Sequence, residues 1–293
     1  MSNMATIKAF IKRHSAPAYF ALAFAISWGG FVLVMGPSGF PAAKDRFETL
    51  FPFACLAMIA GPSAAGILLT GLVRGRAGLR ELLSRLLKWR VGARWYAAAL
   101  LTAPLLMAAL LFVLSLLSPE FLPGIFAADD KASHLLTGLA IGLLAGIFEE
   151  LGWTGFAVPR LRLRYGVLAT GFMMGILWAA WHLLAAFWAS GTISGELSLV
   201  SYLLDPFLLL VAFRILMVWV YDRTGSLLVA MFMHVSLTAS VRILSPLVIA
   251  GVPLLTFDLV WAAVLWVVVA AVVGANRGTS KLPCRGKTSE AIG

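Results

Sequence analysis

Long uninterrupted apolar runs dominate the chain, in place of apolar–polar alternation or one-sided helical stripes. They fall at about 17–36, 50–73, 95–117, 134–157, 167–189, 200–221, 226–248 and 254–274, each close to the roughly 20 residues a helix needs to cross a bilayer core. Backbone N–H and C=O groups facing lipid have no water to bond, so runs of this length form helices, and the short alternating segments of a barrel do not occur. The pattern predicts an all-α, polytopic transmembrane bundle of about eight helices. No Gly/Ser/Pro-rich linker and no 20–50-residue repeat divides it, so residues 1–276 read as one membrane domain and 277–293 as a disordered tail. One segment has a different period. In AGLRELLSRLLKWRVG, Leu79, Leu82, Leu83, Leu86 and Leu87 recur at helical spacing opposite basic residues. This suits either an amphipathic helix on the membrane surface or a loop helix packed against the bundle.

Composition agrees with the pattern. The 293 residues are 61% hydrophobic and 12% charged, with a mean hydropathy of +0.95, against roughly 45–50% apolar residues in soluble domains. The net charge of +10 raises the question of nucleic acid, and its distribution answers it. Lys8, Lys12 and Arg13 precede the first run, Arg74 to Arg94 lie between the second and third, and Arg160, Arg162 and Arg164 follow the fourth. Arg223 follows the sixth, and Arg277, Lys281, Arg285 and Lys287 follow the last. If the spans alternate, all of these share one side, which is the positive-inside pattern with both termini cytoplasmic. The expected partners are therefore membrane lipids and not nucleic acid, and the default location is a bacterial plasma membrane. The basic start and first run resemble a signal peptide but are too long, and read as a retained helix. Cys55 lies in a span and Cys284 in the tail, a placement that does not suit a structural disulfide.

An ionisable side chain at the bilayer centre costs at least roughly 2.5–3.5 kcal/mol, so those present face the bundle interior, pair, or line a wet cavity. They are Glu149 and Glu150 in the fourth span, His182 in the fifth, Arg214 in the sixth, and His234 and Arg242 in the seventh. Asp205 and Asp258 lie near span starts and read as helix caps. Gly142, Gly146 and Glu149 share one helix face, as do Gly171, Gly175, Trp178 and His182. Glycines at this spacing let backbones approach closely, so the fourth and fifth spans are expected to pack together. A Glu, two His and the hydroxyl of Thr238, one turn after His234, suit water-mediated hydrolysis, in which a carboxylate takes a proton from water and donors hold the oxyanion. No serine or cysteine nucleophile stands beside either His. Glu149, His182 and His234 equally match a three-ligand zinc set of the two-His, one-Glu kind, although no HExxH helix is present, and composition leaves the metal open.

EELGWTGFAVPRL, WAAWHL and MHVSLTAS, in this order on separate spans, resemble the glutamate-dependent intramembrane proteases of the CPBP group. That group includes the type II CAAX prenyl endopeptidases and the bacterial Abi proteins. The similarity extends upstream to GPSAAGILLTGLVRGRAGLRELLSRLLKWRVGARWY, so it covers about residues 60–240, with the motif core at about 134–240. The resemblance implies a CAAX-protease-like bundle. Glu149 and Glu150 match the acids of the family motif EExxxR, with Thr154 in the arginine position. His182 matches the histidine that follows an aromatic residue, with Trp178 for the usual Phe. His234 matches the third motif, with Thr238 in the asparagine position. By analogy Glu149 and His182 activate the water, His234 and Thr238 hold the oxyanion, and Glu150 orients the site. The implied substrate is a membrane-associated or lipidated peptide, with peptide maturation or bacteriocin self-immunity as the setting.

Without the motif arginine, Glu150 needs another cation. Arg214 is the candidate, the alternative being that it snorkels or pairs with Asp205 or Asp222. Height along the helices raises a second question. Counted from Val167, His182 lies about 22 Å up, whereas Glu149, counted back from Pro159, lies about 15 Å up. Tilt or a late start to the fifth helix is expected to bring them level. Two rival functions remain at this stage: an inactive scaffold or immunity protein of the same fold, favoured by Thr154 and Thr238, and a proton or solute transporter, for which no internal repeat speaks.

Overall fold

The structure, a computed structural model, describes residues 9–36, 44–189 and 196–277; the expected tail beyond residue 277, with Cys284, lies outside them. Eight described helices are long and apolar enough to span a membrane: α1 Ser15–Met35, α2 Glu48–Leu86, α3 Ala93–Leu117, α4 Lys131–Leu161, α5 Val167–Ala189, α6 Val200–Thr224, α7 Leu227–Leu244 and α8 Gly251–Ala275. Together they form the polytopic helical bundle that the apolar runs predict, and the chain is a multi-pass membrane protein.

Three helices depart from regular geometry at identifiable residues. α2 bends at Gly75, whose φ of 60° only glycine adopts without strain. The second limb is the amphipathic segment, and one face of it packs against the bundle. Leu82 packs against Leu227, Met231, Leu86 and Leu151, whereas Leu79, Leu83 and Leu87 stay exposed. α4 widens into a π turn at Trp153–Ala157, just before Pro159, which has no N–H to return to the preceding turn. α6 does the same at Pro206–Leu210.

Contacts at the two ends fix the up-and-down order. Arg85 Nη1 donates to the Tyr221 hydroxyl (2.9 Å), Ser226 Oγ to the Lys88 carbonyl (2.6 Å) and Arg162 Nε to Asp222 Oδ1 (2.8 Å). The basic connections after α2, α4 and α6 thus meet at one end. At the other, His134 Nε2 donates to the Ile243 carbonyl (3.2 Å), joining the start of α4 to the end of α7.

The glycine faces pack differently from the sequence expectation. On α4, a Cβ at Gly142 would lie 2.8 Å from the Val235 carbonyl oxygen, and one at Gly146 2.5 Å from the Val235 side chain. On α5, a Cβ at Gly171 would lie 2.6 Å from Ile215 Cα and one at Gly175 2.6 Å from Val211 Cα. The glycines therefore seat α4 on α7 and α5 on α6, not α4 on α5. Periodicity names the face that bears small residues but not the helix it meets. Asp205 and Asp258 also differ from expectation, since neither caps a helix. Asp205 precedes the π turn of α6 without a side-chain cap bond, and Asp258 lies inside α8, accepting a hydrogen bond from Ser201 Oγ.

Candidate active site

Seating α4 on α7 puts Glu150 opposite His234; seating α5 on α6 puts Trp178 opposite Arg214. These two contacts assemble the polar centre. Glu150 is fully buried. Arg214 Nη1 donates to both its oxygens at 2.9 Å, His234 Nδ1 donates to Oε1 at 2.7 Å, and Thr154 Oγ1 donates to Oε2. Three donors, one of them a permanent cation, compensate a carboxylate whose desolvation alone would cost several kcal/mol. Arg214 is also fully buried and lies with its guanidinium carbon 4.0 Å from the centre of the Trp178 ring, a cation–π geometry. Of the two alternatives for Arg214, the pairing with Glu150 is the one formed, while Asp222 pairs with Arg162.

Glu149 has different surroundings. Its Oε2 accepts from Trp178 Nε1 (2.7 Å) and Trp153 Nε1 (3.3 Å), both neutral donors, which leaves Oε1 for a reacting group. His182 donates from Nδ1 to the Trp178 carbonyl (2.8 Å), which leaves Nε2 to accept a proton. The His182 and His234 rings flank Trp178, with centroids 5.7 Å and 5.0 Å from it. Trp178 therefore touches Glu149, His182, Arg214 and His234. It also resolves the height question: α5 begins at Val167 as expected, with no late start, and Trp178 stands about 16.5 Å up it, level with Glu149. The carboxylate meets the indole, and His182 lies one turn further along.

Thr238 follows His234 by one turn on α7, half-buried, and makes no hydrogen bond to this group among the described residues. Among the described residues no three His, Cys, Asp or Glu side chains converge as a metal-ligand group, and Glu149, His182 and His234 are no exception. The donor set as placed does not fit a zinc ion.

Two contributors were not anticipated. Trp153 lies within the EELGWTGFAVPRL motif, but indole donors give no periodic signal. Tyr19 on α1 is fully buried, packs edge-on to Trp153 (5.6 Å) and stacks on Phe156 (5.1 Å); nothing in an apolar first span separates it from an ordinary core tyrosine.

Residues 131–240 match the family described as type II CAAX prenyl endopeptidase Rce1-like. A stretch of 40 residues is 48% identical to CAAX prenyl protease 2 of Methanococcus maripaludis, and it spans 14% of this chain and 15% of that protein. Glu149, Glu150, His182, Arg214, His234 and Thr238 all lie within the matched residues.

Proposed function

We propose that the protein is a membrane-embedded endopeptidase, a reading supported by the match of residues 131–240 to the Rce1-like family. It hydrolyses peptide bonds of membrane-associated or lipidated peptides, with water as the nucleophile. The observation that carries this reading is Glu149 and His182 joined through Trp178, beside an acid–arginine–histidine network that has no spare acceptor. Glu149 takes a proton from water, with His182 Nε2 holding the other hydrogen, and the hydroxide adds to the scissile carbonyl carbon. His234, held through Nδ1–H on Glu150, stabilises the developing oxyanion, and Thr238 adds a neutral donor. The proton on Glu149 then passes to the amide nitrogen as the C–N bond breaks, giving a carboxylic acid and a free amine, which leave as carboxylate and ammonium once the acid's proton has passed to the amine. Glu150 and Arg214 do no proton transfer; they fix His234.

Thr154 had favoured the inactive-scaffold reading. Arg214 removes that argument, since it brings from α6 the cation that the fourth span lacks. The proposed setting is a plasma membrane with the basic connections, and both termini, on the cytoplasmic side, and a cavity that opens to that side. The test compares peptides that accumulate uncut when wild type is exchanged for Glu149→Gln, followed by cleavage of the candidates by purified protein. Glu149→Gln and His182→Ala are expected to lower turnover by about 10²–10⁴-fold each, the range for loss of an acid–base group, while the protein remains in the membrane. Wild-type turnover by either variant would end the proteolytic reading.

A further inference from the structure

Gly152 closes the acidic stretch of α4 three residues after Glu149, so the two positions share one helix face, with Cβ positions about 5–6 Å apart. A Cβ at Gly152 would meet the Pro62 carbonyl and the Tyr19 hydroxyl. The missing side chain thus leaves room for the Pro62 carbonyl of α2 and for the phenol, over the face that carries Glu149. The hydroxyl is buried and makes no hydrogen bond among the described residues, and it lies in the field of Glu150, Arg214 and Glu149. Its ring is held between Trp153 and Phe156, so it has no freedom to turn towards another partner. A buried hydroxyl kept without a protein partner is a cost to the fold, and a functional role or a bound water accounts for such groups.

Both oxygens of Glu150 are already engaged, and Oε2 of Glu149 takes two indoles. Of the carboxylate oxygens in this centre, the one left without a donor among the described residues is Glu149 Oε1. We propose that Tyr19 is a positioning residue of the site: its hydroxyl donates, through one water, to Glu149 Oε1 and orients the carboxylate for proton abstraction. The inference rests on the endopeptidase reading for its purpose but not for its geometry. It also extends the site to α1, outside the 131–240 segment.

The test is Tyr19→Phe, which removes the hydroxyl and keeps the stacked ring. With an internally quenched, prenylated peptide, kcat is expected to fall at least about tenfold while KM stays within about twofold. The thermal midpoint is expected to stay close to that of wild type, since the stacked ring is kept and only a contact to water is lost. A second readout needs no turnover: the carboxylate band that Glu149→Gln removes from the infrared spectrum shifts in Tyr19→Phe. An unshifted band, or a drop in kcat matched by a lowered thermal midpoint, overturns the proposal. If wild type fails to cleave the peptide while the band shifts, the positioning contact stands and the endopeptidase reading is what fails.

Discussion

The Glu150–Arg214 pair gives the sharpest quantitative test of the site. Arg214→Leu removes two 2.9 Å contacts to Glu150 and the cation stacked on Trp178. It leaves a carboxylate of zero exposure with only His234 and Thr154. Breaking a buried ion pair from one side costs about 3–5 kcal/mol, because the remaining charge is buried without its partner. Glu150→Gln does the same from the other side, stranding a guanidinium whose Nε and Nη2 already have no partner. In the double variant neither stray charge exists. Its loss should therefore resemble that of one single variant, about 3–5 kcal/mol, and fall short of the sum by at least about 2 kcal/mol. The assay is unfolding of purified protein in mixed micelles, titrated with a denaturing detergent and followed by tryptophan fluorescence, for wild type, both singles and the double. A double-variant loss within about 0.5 kcal/mol of the sum, the margin for independent sites, would show that the two charges do not act as a pair.

Other outcomes follow from single contacts. Trp178→Phe keeps an aromatic ring but deletes the 2.7 Å donor to Glu149; a hydrogen bond to a charged group contributes about 1.5–3 kcal/mol, so kcat should fall by roughly 10–100-fold with the fold intact. Unchanged kinetics would mean that the indole does not orient the acid. Gly175→Ala forces a Cβ to 2.6 Å from Val211 Cα, and overpacking of this kind costs about 1–3 kcal/mol, to be read as an earlier unfolding midpoint. An equal midpoint would mean that α5 and α6 can separate freely. Because the described site presents no three-ligand group, incubation with EDTA is expected to leave cleavage unchanged; activity lost to the chelator and restored by zinc would contradict the water-only mechanism.

Much of this arrangement was legible before any coordinates, for a physical reason. Membrane insertion makes apolar runs long and charged exceptions rare, so eight spans and the acids and histidines of the centre stand out by cost alone. Partner identity was less legible. Gly142 and Gly175 declare close approach, but α7 and α6 become their partners only when the whole bundle closes. The Arg214 pairing was one of two open alternatives, since sequence distance does not show which way a guanidinium on α6 turns. Trp153 and Tyr19 gave no signal, because an indole or phenol in a span costs little to insert, whether or not its polar atom is used.

The two neighbouring acids explain why the arrangement needs both. Residues one apart on a helix point in directions about 100° apart, so Glu149 and Glu150 cannot face the same partners, and the structure gives them opposite environments. Glu150 is saturated by a cation, an imidazole and a hydroxyl, with no oxygen left for chemistry. Glu149 receives only neutral indole donors on one oxygen. Pairs of carboxylates whose surroundings differ in this way divide into a fixed charge and a working acid–base group. A buried arginine placed on Glu149 in place of Glu150 would neutralise the group that, under the proposed mechanism, takes a proton from water. Supplying the cation from α6, one helix away, achieves the separation that Thr154, on α4 itself, cannot provide with a single neutral hydroxyl.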